Sequence, residues 1–163
     1  MKKFPLLTSV MASVISGIAS LAPALHAESK QPDIVFVLVD DLRWDALGFL
    51  DHPYLETPHI DKLREQGANM QNAFVTTSIC CPSRATFLTG TLASRHGVID
   101  NESAEYDPDV TPPLTKYLKE AGYKTAMIGK WHMGYRSDPR RYFDFWLSFE
   151  GQGVYHDPIY NIN

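Results

Sequence analysis

Ile34-Val35-Phe36-Val37-Leu38-Val39-Asp40-Asp41 is a continuous apolar, largely β-branched run closed by two carboxylates. A run without polar alternation predicts a strand buried on both faces, as in a parallel sheet. Downstream, Thr57-Pro58 opens a helix that Gly67 ends, with threonine at the N-cap and proline at the first helical position. Residues 68–75 read as a second short strand, and another helix opens at Pro82. Thr111-Pro112-Pro113 starts a helix with Leu114, Tyr117 and Leu118 on one face, ended by Gly122. Residues 123–128 form a third strand that delivers the chain to Gly129-Lys130-Trp131-His132. This alternation predicts an α/β fold with a doubly wound, mainly parallel sheet and ligands beyond the carboxyl ends of its strands. Asp40-Asp41 and Lys130/His132 both fall at such ends. Adjacent side chains of a strand point to opposite faces, so two aspartates serving one ion require irregular backbone at this pair.

A chain of 163 residues has room for one domain at most. Met1-Lys2-Lys3 followed by an apolar run to Ala22 and then Pro23-Ala24-Leu25-His26-Ala27 has the anatomy of a secretory signal peptide, cut after Ala24 or Ala27. The predicted organisation is therefore a signal segment, 1–27, and a globular portion, 32–163. Export to the periplasm or the medium follows as an expectation. A membrane anchor is the other reading of the leader, but its run is short, rich in hydroxyls and not followed by stop-transfer charges. No stable membrane insertion is expected after cleavage. Net charge is −4 and lysines and arginines are scattered, which argues against a nucleic-acid partner. Asn101-Glu102-Ser103 fits a glycosylation acceptor, with a surface loop as the plainer reading. After Arg141 the chain turns aromatic, with Tyr142, Phe143, Phe145, Trp146, Phe149, Tyr155 and Tyr160. Packing onto a core is favoured there over a sugar-stacking platform.

The two cysteines, Cys80 and Cys81, are adjacent. Neighbouring Cα atoms lie about 3.8 Å apart, below the usual disulfide span of about 4.4–6.8 Å, so a bridge between them is strained. A helix start favours an anion or thiolate at Cys80, although most lone cysteines are small buried hydrophobes. Arg84, one turn on, lies on the same helix face and can lean back toward that start. Asp40 and Asp41 taken alone also fit solvated turn aspartates, and Lys130 and His132 ordinary loop residues.

The full segment Cys80-Cys81-Pro82-Ser83-Arg84-Ala85-Thr86-Phe87-Leu88-Thr89-Gly90 resembles the signature of the type I, formylglycine-dependent sulfatases, of alkaline phosphatase-like fold. The resemblance runs essentially from Pro32 to the end and covers the N-terminal part of that catalytic domain. It implies that Cys80 is the formylglycine precursor, installed by a formylglycine-generating enzyme that reads Pro82 and Arg84. A hydrated formylglycine attacks the sulfur of a sulfate monoester and then expels sulfate by regenerating its aldehyde. Arg84 fixes the hydrate and offsets charge. The segment Gly129-Lys130-Trp131-His132-Met133-Gly134 implies Lys130 on the sulfate and His132 on the hydrate, where it would assist elimination. Asp40, Asp41 and formylglycine oxygens from position 80 imply a divalent cation, usually Ca²⁺ with Mg²⁺ as the alternative. Cys81 occupies the variable position and is expected to be dispensable. Arg95-His96-Gly97 also resembles a family segment, with a structural role expected for His96.

The implied activity is a sulfuric ester hydrolase. The tail, with Phe143-Asp144-Phe145-Trp146 and Gly151-Gln152-Gly153-Val154-Tyr155, resembles bacterial sulfatases related to N-acetylglucosamine-6-sulfatases, which implies a sulfated glycan substrate. The family's later metal-binding segment and its further lysine and histidine do not occur before Asn163. The chain therefore reads as the N-terminal fragment of a larger enzyme, with an inactive anion-binding fragment as one alternative. A phosphatase or phosphonate hydrolase of the same superfamily is another, disfavoured because those with threonine or serine nucleophiles lack the cysteine signature.

Overall fold

The computed structural model describes residues 31–102 and 105–163. The expected signal segment, 1–27, lies outside the described residues. The chain divides into two compact units, Met1–Leu38 and Val39–Asn163. Of the first, residues 31–38 carry no helix or strand, and Val35 and Val37 are 85% and 75% exposed. The strand expected over 34–39 is therefore not formed. Continuous hydrophobicity specifies burial without specifying a ladder, and all three strands of the sheet come from residues 126–162 instead. The strand expected over 68–75 is likewise absent, with Met70 and Phe74 exposed in turn and irregular backbone.

In the second unit the elements run from a short 3₁₀ turn, Gly48–Leu50, through α1 (Pro58–Gln66), α2 (Cys80–Thr89), α3 (Ala93–His96) and α4 (Leu114–Glu120). They continue with β1 (Ala126–Ile128), β2 (Phe145–Ser148) and β3 (Asn161–Ile162). The architecture is α/β, as expected, with a small mixed sheet in the order β1-β2-β3. β1 and β2 are parallel, pairing Met127 with Trp146, whereas β2 and β3 are antiparallel, pairing Leu147 with Ile162. Two of these strands lie in the aromatic tail.

Helix starts follow the proline signals and differ in detail. Thr57 does precede α1, but its hydroxyl accepts from the Gly48 amide and donates to Asp61 instead of capping the helix. α2 already includes Cys80, two residues before Pro82, and ends at Gly90 in the left-handed conformation (φ 65°) that glycine adopts at low cost. α3 is a single turn that the sequence did not signal.

The core lies on the face of the sheet that carries Met127 and Trp146. Cys81 and Ala85 of α2 meet Val98, Tyr106, Trp131, Met133 and Trp146 there, with Leu88, Met127 and Phe143 packed around them. Trp131, Phe143 and Trp146 contact one another edge-on at centroid distances of 5.2–5.8 Å. Such aromatic pairs add about 0.5–1.5 kcal/mol each beyond their buried area. The Trp146 indole N–H donates to the Ser137 carbonyl at 2.7 Å, so its one polar atom is satisfied. The opposite face of the sheet stays open, exposing Ala126, Ile128 and Phe145.

Asp144 ties α4 to this sheet. Its carboxylate accepts from the Lys119 ammonium and from the amide and hydroxyl of Thr125. The Lys119 bond, followed by the Thr125 amide, holds its pKa down to about 2.

Two outcomes are expected. Trp146→Ala should cost about 3–5 kcal/mol in denaturant unfolding; a loss below about 1 kcal/mol would show that the core is not built around this indole. Asp144→Ala should melt at a lower temperature than the parent at pH 7. Because the folded pKa is depressed, that difference is present above the unfolded value of 3.8 and closes as pH falls through about 2. Melts recorded across that window by circular dichroism test it, and a pH-independent difference would contradict the assignment.

Candidate active site

α2 presents Cys80 in its first turn. The residue before it, Ile79, is extended and gives no side-chain cap. The Cys81 amide instead donates to the Asn101 side-chain oxygen at 3.0 Å. Cys80 is half-buried, Cys81 is buried, and both thiols are free, in keeping with the geometric argument against a bridge.

Asp40 and Asp41 sit in a turn, and Asp41 has φ 53°. The backbone is thus irregular where it was expected to be. Asp40 faces the helix start: its Oδ1 lies 3.7 Å from Cys80 Sγ, and its Oδ2 accepts from Lys130 Nζ at 2.6 Å. Arg84 Nη2 lies 3.4 Å from the same oxygen. The Lys130 hydrogen bond, with the charges of Lys130 and Arg84, holds the Asp40 carboxyl below the usual range. Asp41 is exposed and carries no such pair with Lys130 or Arg84.

β1 ends at Ile128, and Gly129 (φ 105°) turns the chain so that Lys130 enters the site. The Gly129 amide donates to the Leu147 carbonyl at 2.8 Å, extending the ladder by one bond and fixing where the loop leaves. Lys130 Nζ reaches Cys80 Sγ at 3.7 Å and also donates to the Gln152 side chain. Arg84 leans back as expected and donates to the Lys130 carbonyl. The side chains of Arg84 and Lys130 are only 12% and 14% exposed. Two cations therefore face one partly exposed carboxylate beside Cys80, leaving a net positive pocket.

His132 does not continue the extended backbone of β1. Its φ is 48°, a left-handed conformation that costs a non-glycine residue about 1–3 kcal/mol. It is buried between the core residues Trp131 and Met133, and its carbonyl accepts from the Cys81 thiol. Burial first, then the Lys130 and Arg84 charges, lowers its pKa below the ordinary histidine value. Three buried side-chain polar atoms of the described residues have no hydrogen-bond partner: Thr115 Oγ1 in α4, and Arg84 Nε and His132 Nδ1 at the site. Unpaired groups of this kind are costly unless a ligand or water completes them.

His96 has the structural place expected of it. Its Nδ1 accepts from the Val98 amide at 3.2 Å, so Nε2 carries the proton toward Thr86 Oγ1, also at 3.2 Å.

The acidic pair suits a hard cation by type but not by number. Ca²⁺ takes about six to eight oxygens, and among the described residues no group of three or more His, Cys, Asp or Glu is arranged to hold a metal. Asp40 is also committed to Lys130 and Arg84. These residues alone do not fit a complete metal site.

The structure thus brings together Asp40, Cys80, Arg84 and Lys130, with His132 joined to them through Cys81. Two contacts were missed in the sequence. Asn101 reads in the sequence as a glycosylation acceptor or a surface-loop residue, neither of which points to α2. Gln152 lies between Gly151 and Gly153, both at positive φ, and that glycine bracket was its one local signal.

The His132 imidazole should titrate below 6.5 by NMR, and Lys130→Ala should move it upward. With the folded value depressed, its contribution to stability is full above 6.5 and lost as pH falls through the lowered midpoint. A midpoint at or above 6.5 would show that the imidazole is solvated.

The model of the sulfatase family matches residues 32–161. An N-acetylglucosamine-6-O-sulfatase of Bacteroides thetaiotaomicron is 37% identical over 144 residues, 86% of this chain and 25% of the relative. An ulvan-active sulfatase of Formosa agariphila is 35% identical over 143 residues, 83% of this chain and 28% of the relative. Among solved structures, one described as a complex with its substrate D-glucosamine-2-N,6-O-disulfate superposes with a TM-score of 0.72 at 32% identity. That match covers 82% of this chain and 28% of the other. The chain thus spans about a quarter of the length of the curated relatives it matches. From its signature helix, its site geometry and these matches together, the chain belongs to the sulfatase family.

Proposed function

We propose that this chain supplies the nucleophile half of a sulfuric ester hydrolase acting on sulfated glycans. One observation carries it: Cys80 stands at a helix start beside two largely buried cations, Lys130 and Arg84, with unpaired polar atoms on Arg84 and His132. A sulfate monoester brings negative charge against any nucleophile, and fixed cations and donors offset that charge without reorganisation.

Converted to formylglycine by a generating enzyme, position 80 would supply a hydrated aldehyde: one hydroxyl, giving up its proton, would bond to sulfur as the S–O bond to the sugar alcohol breaks, and the second, giving up its proton, would restore the aldehyde as sulfate leaves. The chain's own residues prepare for this. Lys130 directs its ammonium at the reacting position while Asp40 anchors it. Arg84, braced on the Lys130 carbonyl, keeps Nε uncommitted for an anionic oxygen. His132, biased toward its neutral form, can take a proton at Nδ1. Asp40 and Asp41 are the oxygens this chain would lend to Ca²⁺ or Mg²⁺, with position 80 adding another; the rest of that shell is not among the described residues. The leader, 1–27, supports export to the periplasm or the medium. The glycan substrate is supported by relatives whose names specify sulfated sugars.

Peptide mass spectrometry of the exported chain, made in a host with a competent modifying enzyme, should find an aldehyde in place of the Cys80 thiol. With the sequence of a complete enzyme around it, the chain should release sulfate from 6-O-sulfated glucosamine. Cys80→Ala should abolish release, and Lys130→Ala or Arg84→Ala should lower kcat/KM by about 10²–10³-fold. An unmodified thiol, or release that survives Cys80→Ala, would overturn the proposal; anion binding without release would favour the inactive-fragment reading.

A further inference from the structure

We propose that Cys81 and Asn101 are positioning residues, forming a latch that fixes the first turn of α2, and so Cys80, against the loop carrying Lys130 and His132. This deepens the sulfatase reading, and its catalytic meaning rests on that reading.

The first amides of a helix have no intrahelical partner. In α2, Ser83 is the first residue whose amide bonds back within the helix, to the Ile79 carbonyl at 3.0 Å. Pro82 has no amide hydrogen to satisfy. Ile79 gives no side-chain cap, so the Cys81 amide takes its acceptor from outside, the Asn101 Oδ1 at 3.0 Å, twenty residues away. The Cys81 side chain completes the latch. The residue is 2% exposed, and its thiol donates to the His132 carbonyl, with the Asn101 carbonyl 4.0 Å from the sulfur.

One residue thus makes two bonds in two directions, its amide to the 101 loop and its thiol to the 132 loop. The thiol bond falls on the residue held at φ 48°, where the backbone most needs an outside constraint. Cys80 precedes Cys81 directly, and Lys130 lies two residues before His132. A slip at Cys81 therefore changes the separation of Cys80 and Lys130, now 3.7 Å between Sγ and Nζ. A displacement of about 1 Å at a reacting pair costs about 10²-fold in rate. The variable position of the signature is, in this chain, a structural joint and not a dispensable spacer.

Two readouts test the latch. In the chain with both thiols unmodified, iodoacetamide followed by peptide mass spectrometry should label Cys80 and spare Cys81. Asn101→Ala should speed Cys81 labelling about tenfold or more, and Asn101→Asp, which keeps the acceptor, should restore protection. Labelling of Cys81 as fast as Cys80 in the parent chain would overturn the proposal. In the complete, formylglycine-bearing enzyme, Cys81→Ala and Asn101→Ala should lower kcat about 10–100-fold with KM within about twofold. Cys81→Ser and Asn101→Asp should hold kcat within about threefold. Alanine variants that melt and turn over like the parent would overturn the positioning role, as would conservative variants as impaired as the alanine ones. Protected Cys81 in an enzyme that releases no sulfate would keep the latch and remove the sulfatase reading instead.

Discussion

The ion pair between Asp40 and Lys130 joins residues ninety positions apart, and the geometry of the site depends on it. Lys130 alone would point its ammonium wherever solvent drew it. Asp40 gives it one direction, and the same carboxylate draws in Arg84. Three charges then surround Cys80 with an excess of one positive charge. A pocket so composed is fixed by attraction among its own members yet keeps an unspent field for an anion. Removing Asp40 would leave two largely buried cations without their shared carboxylate, the costly case for a charge taken out of water.

The aromatic cluster makes that field possible. Trp131 separates Lys130 from His132 in sequence and is itself clamped by Tyr106, Phe143 and Trp146. The loop bearing the cation and the imidazole therefore hangs from a packed residue at its centre. Packing, not local backbone preference, holds His132 in its left-handed conformation. Energy gained in the core is used to maintain strain at the site, a distribution common where function needs a particular orientation.

The sequence disclosed the site better than the sheet. Proline and glycine marked the limits of α1, α2 and α4 closely, because caps are local chemistry. A complete pattern outweighs the bland reading of each residue, and the structure brings the Cys80 signature, Asp40 and Lys130 together. Residues 34–39 carried the strongest strand signal and form no strand, since hydrophobicity does not name a pairing partner. Nothing in the aromatic tail signals β2 and β3 as strands, although Trp146 is both the centre of the core and part of the ladder. Gln152 and Asn101 act across twenty or more residues, through loops whose course depends on tertiary packing. Nothing in their immediate neighbours encodes that reach, and the left-handed turn at His132 has no glycine to announce it.

β1 is the outer strand of the sheet, three residues long, and Ala126 and Ile128 are exposed on its open face. An edge of this kind, without a charged side chain of its own among those three residues, is a template at which another strand can add. Among the described residues β1 pairs with β2 alone, so its outer amides and carbonyls define where a further strand, from this chain or another, would register.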